Sequence, residues 1–259
     1  MTFLLLAIAL GLFALPLVTR PLTSQGRIRA SGFNGAGVIV GFVITVAVVS
    51  LTSPLFGFGF VLAVMLHELG SAYACRIIGH EVARVRLIPL PLLAAPRSDR
   101  PFGHALEESF TALYAPALAI VPMVLCFGLF PILAPIAPMV ANLLRVTAIM
   151  LGTFNFIMLL PFLPFAGGRV MRAISGAFWP RFGTTVTLFM TAAFTSAALR
   201  DHSIAMALLA AAGLQSLWHR RQPEQAPLSS NEALLVMACY AFVLTVHYLG
   251  GSWLLNGLR

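Results

Sequence analysis

Long apolar segments, broken only by short arginine-containing stretches, constrain the fold of this chain more than any other feature. A segment of about 20 apolar residues can cross the hydrocarbon core of a bilayer, where only a helix or a closed barrel satisfies its own backbone. Charged residues make up 9% of the chain, against about 25% in a typical soluble protein. The sequence predicts an all-α polytopic membrane protein of about eight transmembrane helices, near residues 3–18, 34–51, 54–74, 105–130, 143–163, 184–199, 203–218 and 232–255.

The positive charge of the chain is carried by arginine and lies between the apolar segments. A formal net charge of +8 would, on composition alone, suit a nucleic-acid-binding protein. The arginines instead cluster beside predicted helix ends, which is typical of membrane topology signals, so we expect no nucleic-acid partner. We expect a multi-pass protein of the bacterial inner membrane. The positive-inside rule assigns the larger set to the cytoplasm: Arg20, Arg27, Arg29, Arg76, Arg84, Arg86, Arg97, Arg100, Arg169, Arg172, Arg181, Arg220 and Arg221.

The sequence Leu66-His67-Glu68-Leu69-Gly70-Ser71 places two ionisable side chains inside the third apolar segment. Ionisable groups within a membrane helix are energetically costly and are commonly functional. A zinc protease helix reads His-Glu-x-x-His, with two imidazoles on one face that bind the metal. Ser71 stands where the second histidine would be. His67 and Glu68 are therefore either half of a metal site or a polar pair hydrogen-bonded inside the helix bundle.

Other polar residues near this segment give two further alternatives. His80 and His104 flank the same membrane face and would supply metal ligands if their loops folded back, whereas Cys75 is too far along the helix from His67. Ser71 and His67 also form an i, i+4 pair, which allows a serine–histidine dyad. No oxyanion donor is identifiable for that dyad.

A partly alternating segment from Glu81 to Leu92 follows the third helix and predicts a short β strand or hairpin at the cytoplasmic face. Its functional interpretation is a template for an extended peptide, with Val82, Val85 and Leu87 as partner-binding residues. The alternative is a simple connection between helices.

A second segment at the same predicted face, residues 161–169, is rich in proline and glycine. Such a composition breaks a helix, and Gly167 and Gly168 allow another backbone to come close. The arginine distribution places this turn and His67 at the same side of the membrane, so we expect them to be neighbours.

The order and spacing of these motifs resemble the site-2 proteases, a family of intramembrane zinc metalloproteases. The family pattern is His-Glu-Leu-Gly-His on one helix, then a strand, an Ala-Gly-Pro turn and an Asn-x-x-Pro-x-x-Pro-Leu-Asp-Gly-Gly-Arg segment. The corresponding residues here are 67–71, 81–90, 114–116 and 158–169. The resemblance implies a site-2-protease-like core at residues 54–175, with N-terminal transmembrane helices at 1–53 and C-terminal ones at 176–259.

The resemblance also implies a zinc site with Glu68 as general base and with Gly167 and Gly168 beside the substrate or partner. The chain departs from the pattern at the metal ligands, because Ser71 replaces the second histidine and Ala166 replaces the aspartate. His67 is the one ligand retained. In addition, Met158 stands at the asparagine position, with Asn155 about one turn earlier, and Ala119 replaces a polar residue after the Ala-Gly-Pro turn.

These departures determine the function expected from the sequence. A catalytic zinc needs about three protein ligands and an open position for water. We therefore expect no bound zinc, a vestigial Glu68, and a protein that acts by binding membrane helices or a partner protease. Two alternatives are an active zinc metalloprotease with substituted ligands and an unrelated, transporter-like polytopic protein.

Overall fold

The structure is a computed structural model that describes residues 27–31, 35–86, 98–218 and 225–257, with residues 5, 8, 9, 11–13, 15 and 16. This last group is helical, so the predicted span at residues 3–18 is described in part. Leu87 and the rest of the predicted strand segment beyond it lie outside the described residues.

Helices form most of the described part of the chain. Five helical segments are long and apolar enough to cross a membrane, which is consistent with an integral membrane protein. They are Pro54–Ile77, Ala105–Leu133, Pro138–Met158, Phe182–Asp201 and Ser230–Ser252, whereas Gly41–Leu51 and Ile204–Trp218 are apolar but shorter. A total of eight spans stays a prediction. The helices are α1 (Gly35–Leu51), α2 (Pro54–Ile77), α3 (Ala105–Leu133), α4 (Pro138–Met158), α5 (Ala166–Phe178), α6 (Phe182–Asp201), α7 (Ile204–Trp218) and α8 (Ser230–Gly257).

Local sequence explains where α2, the helix that carries His67, begins and ends. Pro54 occupies its first turn, where a missing N–H costs no helical hydrogen bond. At the other end Gly79 has a φ of 87°, a conformation that glycine adopts without the steric penalty of a Cβ. Gly79 N then donates to Arg76 O and His80 N to Cys75 O, the paired bonds of a Schellman motif. The helix that carries His67 is thus held at both ends by its own sequence.

The helices α2, α3, α4 and α8 form the central bundle, and their contacts fix their relative directions. His67 of α2 lies level with Asn155 of α4, and Gly59 lies level with Met150, so α2 and α4 run parallel. Gly152 of α4 lies against Gly250 and Gly251 near the end of α8. Leu159, at the other end of α4, is level with Tyr240, which comes earlier in α8. Since the numbering falls along α8 as it rises along α4, these two helices run antiparallel.

The helix α3 runs in the same direction as α8 and against α2. His247 of α8 is level with Pro116 of α3, and Ala226, just before α8, pairs with the start of α3 at Ala105. Gly70 of α2 packs against Ala115 in the middle of α3. The end of α2, the start of α3, the end of α4 and the start of α8 therefore lie at one end of the bundle, which we call the His67 end.

The remaining helices pack around this bundle. The helix α5 packs mainly against α3, α8 and α6, and α6 and α7 pack against each other as a helical hairpin with its turn at His202 and Ser203. Arg172 of α5 forms an ion pair of 2.8 Å with Glu108 in the first turn of α3. That contact places the middle of α5 at the His67 end.

Two short strands, β1 (Arg27–Ser31) and β2 (Val82–Arg86), form a parallel ribbon. The strand β2 lies inside the segment for which a strand or hairpin was expected. Its partner within the described residues is β1, which precedes α1, instead of an adjacent segment. The sequence did not predict this pairing, because parallel strands are joined over a long stretch of chain. A hairpin in residues 87–97 stays a prediction outside the described residues.

Candidate functional site

His67 lies in the interior of the bundle and is hydrogen-bonded across it. Its side chain is 2% exposed, and its Nδ1 lies 2.8 Å from Oδ1 of Asn155. Asn155 Nδ2 donates to Leu151 O at 2.9 Å, which identifies Oδ1 as the atom that faces the imidazole. Because an amide oxygen only accepts, Nδ1 of His67 carries the proton of this hydrogen bond.

Apolar packing holds the imidazole of His67 in this position. The ring of Phe154 meets it edge to face, with 5.5 Å between the centroids. Phe60 packs edge-on against Phe154 from one side at 5.9 Å. A hydrogen bond in such surroundings is not exposed to competition from bulk water, so the pair at His67 and Asn155 is a rigid link between α2 and α4.

Glu68 and Ser71, the other two polar residues of the motif, are also enclosed by the bundle. Glu68 is 0% exposed and Ser71 is 1% exposed. Between them Gly70 faces Ala115, and a Cβ on Gly70 would lie only 2.9 Å from the Cα of Ala115. The close approach of α3 at this point therefore needs glycine at position 70 and leaves the His-Glu-x-x-Ser turn without solvent access.

The segment expected to supply the third metal ligand lies at the same end of the bundle but packs on other helices. Ala166 begins α5 and belongs to a buried apolar cluster with Leu113, Leu159 and Val170. The helix α5 packs on α3 and α8, whereas α2 packs mainly on α1, α3, α4 and β2. The helix α3 therefore contacts both α2, which carries His67, and α5, which begins at Ala166. The residue from the second motif region that meets His67 is Asn155.

Gly167 and Gly168 have the role in packing that their sequence suggests. A Cβ on Gly167 would clash with the backbone of Leu159, and one on Gly168 with the backbone of Phe162. These glycines thus fold the turn after α4 back onto the start of α5. Their close neighbours here belong to the chain itself, and their role toward a substrate or partner stays a prediction.

The other histidines considered as ligands have structural partners. His80 Nδ1 lies 3.1 Å from Oδ1 of Asp99, and its ring packs on Phe102 at 5.3 Å. His104 caps α3 and accepts from Leu106 N at 3.0 Å. Cys75 is buried in a small apolar cluster with Ala72 and Phe102.

The donor set around His67 does not fit a catalytic zinc ion. Across the part of the chain that the structure describes, no three His, Cys, Asp or Glu side chains are grouped closely enough to hold a metal ion. Near His67 the available groups are one imidazole, the Glu68 carboxylate, the Ser71 hydroxyl and the Asn155 amide. A catalytic zinc is held by about three imidazole, thiolate or carboxylate ligands, so this set falls short.

Two of the residues expected to bind a peptide, Val82 and Val85, belong to the strand β2. Parallel pairing puts Val82 opposite Arg27 and Val85 opposite Ala30. The binding of an extended peptide by these residues stays a prediction.

Sequence reasoning missed His247, a fully buried histidine in α8. Its Nε2 donates to Pro116 O at 2.8 Å, and within the described residues its Nδ1 has no hydrogen-bond partner. Two features of the sequence could have indicated this contact: a lone histidine in an apolar segment, and Pro116 within another apolar segment. No periodicity links the two residues, since they are distant in the chain.

An apolar cavity of about 270 Å³ lies beside the motif. Its walls come from α2, α3 and the helical residues 11 and 15. The lining residues of α2 and α3 include Leu66, Leu69, Gly70, Leu118, Ala119 and Val121. Ala119, which stands where the family pattern has a polar residue, thus contributes to an apolar wall.

Comparison of the chain with protein-family models, with curated proteins and with solved structures gives no match in any of the three. The resemblance to the site-2 proteases therefore stands on the sequence motifs, and the function inferred from it is a proposal.

Proposed function

We propose that this protein is a site-2-protease-like integral membrane protein that does not hydrolyse peptide bonds and acts by binding transmembrane helices. The observation that carries the proposal is the arrangement of side chains in residues 67–71 of α2. This segment contains one imidazole, that of His67, whose Nδ1 donates to the Asn155 amide. The side chains of Glu68 and Ser71 beside it are fully buried.

Hydrolysis of a peptide bond in this family uses a water activated by zinc, and that activation needs a complete ligand set. A serine hydroxyl at position 71 is a poor zinc ligand, and the methyl group of Ala166 cannot bind a metal. Without an activated water, Glu68 has no nucleophile to deprotonate. The proposal therefore treats His67, Glu68 and Asn155 as polar residues that fix the packing of α2 and α4.

The apolar cavity beside the motif supports a binding function. Its walls are formed mainly by the helix that carries His67 and by α3, and its lining is mostly apolar. A membrane helix of another protein presents the same chemistry, since helices in lipid associate through close van der Waals packing. The proposed partner is the transmembrane helix of a substrate-like protein or of an active protease.

The proposed topology has eight spans, with the His67 end of the bundle at the cytoplasmic face of a bacterial inner membrane. Two observations support it. The helices α2, α3 and α4 alternate in direction, and the loops predicted to share the side of the His67 end carry more arginines than the other loops, as the positive-inside rule expects of a cytoplasmic face.

Metal analysis of the purified protein tests the loss of the zinc site. We expect far less than one zinc per chain in the parent. The zinc content of the Glu68→Gln variant should be no lower than that of the parent. Stoichiometric zinc in the parent would contradict the proposal. The Ser71→His/Ala166→Asp double variant tests the lineage, because it restores both missing ligands. Zinc at about one per chain in that variant alone, with either single variant much lower, is the expected result.

Site-specific photocrosslinking tests the binding function. A crosslinking amino acid at Leu118, in the cavity wall, should capture an apolar helix of another membrane protein in native membranes. The matched control is Phe189 on α6, which is 70% exposed and does not line the cavity. Lipid adducts alone at Leu118, or the same protein adducts at both positions, would count against the binding function.

One observation favours a second candidate, an active zinc protease with substituted ligands. Nδ1 of His67 donates to Asn155, and metal-ligating histidines are commonly held in this way by a second group. This candidate requires that Glu68→Gln abolish activity by several orders of magnitude while the protein stays folded. The binding proposal instead expects partner capture within about twofold of the parent, because the carboxylate has no catalytic role there.

A further inference from the structure

The connection between α5 and α6, residues 178–182, exposes three large aromatic side chains, and we call it the α5–α6 corner. Phe178 and Trp179 are 54% and 56% exposed, and Phe182 is 37% exposed. The rings of Trp179 and Phe182 stack, with 5.7 Å between their centroids and 30° between their planes. Exposed apolar side chains grouped in this way commonly mark a surface that contacts another molecule or a membrane.

The local sequence explains how the α5–α6 corner forms. Pro180 disfavours a helical conformation at the residue before it, so α5 ends just before Trp179, whose backbone is extended. Residues 179–182 then form a turn, which is closed by Phe182 N donating to Trp179 O at 2.9 Å. Proline is favoured at the second position of such a turn. The turn brings its first and fourth residues together, so their rings stack, and Arg181 at the third position is exposed beside them.

Packing contacts place the α5–α6 corner at the His67 end of the bundle. A Cβ on Gly183, in the first turn of α6, would lie 2.9 Å from Oγ of Ser175 and 3.5 Å from Cα of Arg172. Arg172 in turn pairs with Glu108 in the first turn of α3. The helix α6 is long and apolar enough to cross a membrane, and a span over α6 begins at this first turn. The corner is therefore level with the headgroups of one leaflet.

Arg181 gives the α5–α6 corner a positive charge that no described residue neutralises. Its side chain is exposed, and its guanidinium makes no hydrogen bond or ion pair within the part of the chain that the structure describes. By contrast, Arg200 at the other end of α6 is paired with Asp201. An exposed arginine at the membrane surface meets lipid phosphate, to which a guanidinium can donate two parallel hydrogen bonds.

The aromatic side chains suit the same level of the membrane. Tryptophan has an apolar ring with one polar N–H group, and it is enriched where acyl chains meet headgroups. We propose that the α5–α6 corner binds anionic phospholipid. Arg181 holds the phosphate, and the stacked rings of Trp179 and Phe182 lie against the upper part of the acyl chains. A headgroup with a net negative charge is preferred, because no acidic side chain offsets the charge of Arg181. This binding of lipid is independent of the proposed binding of helices.

Fluorescence quenching by brominated phospholipids tests the location of the α5–α6 corner. Replacing Trp218 and Trp253 with phenylalanine leaves Trp179 as the one tryptophan of the full-length chain. In vesicles, bromines near the headgroup end of the acyl chains should quench Trp179 more strongly than bromines near the chain ends. Strongest quenching by the deepest bromines would contradict the proposal. Absence of quenching at every depth would mean that protein, such as a second copy of the chain, covers the corner, and would also contradict it.

The same single-tryptophan protein tests the headgroup preference. Brominated phosphatidylglycerol diluted into phosphatidylcholine vesicles, compared with the reverse mixture, measures the relative affinity of the two lipids for the corner. We expect phosphatidylglycerol to be preferred about fivefold, since an arginine near the lipid surface contributes about 1 kcal/mol. The further substitution Arg181→Gln should abolish the preference, whereas Arg181→Lys should retain most of it. The matched control, Arg200→Gln, removes one arginine from the other end of α6 and should retain the full preference.

Three results of the headgroup experiment would overturn the proposal. The first is equal quenching by the two lipids in the single-tryptophan protein, a measurement that needs no substitution at Arg181. The second is an equal loss of preference in the Arg200→Gln control, which would make the effect one of net charge. The third is loss of the preference in millimolar inorganic phosphate at constant ionic strength, which would indicate a site for a free anion.

Discussion

At the scale of single residues, the hydrogen bond between His67 and Asn155 is a polar link between α2 and α4. Both side chains are almost fully buried, and the second bond of Asn155, to Leu151 O, fixes the amide orientation. The sequence pointed to His67 because an ionisable group in an apolar segment is unusual. It gave Asn155 only as a substitute for the residue at Met158, because spacing alone does not show which turn of α4 faces α2.

A double-mutant cycle on this pair should reveal the link. His67→Leu and Asn155→Leu each leave a buried polar group without its partner, at an expected cost of about 1–3 kcal/mol in the free energy of unfolding. The double variant should cost less than the sum, with a coupling energy of about 0.6–1.7 kcal/mol, as for other hydrogen bonds between membrane helices. Denaturant titration in mixed micelles measures all four proteins. Strictly additive costs would mean that the bond contributes nothing to stability.

At the scale of secondary-structure elements, glycines set how closely the helices approach. A Cβ on Gly152 of α4 would clash with the backbone of Gly250 and Gly251 in α8. Backbone atoms cannot turn aside as a side chain does, so the two helices would have to separate. Gly176, near the end of α5, has no neighbour within 4 Å of such a Cβ. The same glycine-to-alanine substitution can therefore be compared at a closely packed position, Gly152, and at an open one, Gly176.

Gly152→Ala should destabilise the protein and Gly176→Ala should not. The added methyl group at position 152 overpacks the α4–α8 contact, at about 1–3 kcal/mol. At position 176 alanine meets open space and gains up to about 1 kcal/mol in helix propensity. Thermal unfolding of both variants beside the parent is the measurement. A melting temperature for Gly152→Ala at or above that of Gly176→Ala would show that α4 and α8 are not in contact there.

At the scale of the whole molecule, four helices of alternating direction bring distant motifs to one end of the bundle. The end of α2, the end of α4 and the starts of α3 and α8 meet there, and the ribbon and the Arg172–Glu108 pair lie beside them. The arginine count in the sequence predicts that this end faces the cytoplasm. A prediction about topology therefore tests the arrangement of the entire chain at once.

Reporter fusions after Arg97 and after Arg220 should both report the cytoplasm. Each position follows an odd number of spans in the eight-span topology, in which the amino terminus lies outside. A fusion after Leu199, at the far end of α6, supplies the control and should report the outside. An outside signal at either arginine would contradict the eight-span topology together with the cytoplasmic assignment of the His67 end.

Local patterns in the sequence were enough to predict a helical membrane protein, the helix that carries His67 and the turn at Gly167 and Gly168. Hydropathy reports on each segment separately, because every membrane helix satisfies its own backbone. The departures from the site-2-protease pattern at Ser71 and Ala166 are likewise visible in the sequence alone.

Only the tertiary structure decided which residues meet. The contact of His67 with Asn155, of His247 with Pro116 and of β1 with β2 each joins positions that no periodicity relates. Helix packing in lipid depends on the shapes of the surfaces that approach, such as Gly152 against Gly250. A parallel strand pair likewise depends on where the intervening helices deliver its two ends. Those are properties of the assembled bundle, so they follow from the structure and not from any single segment.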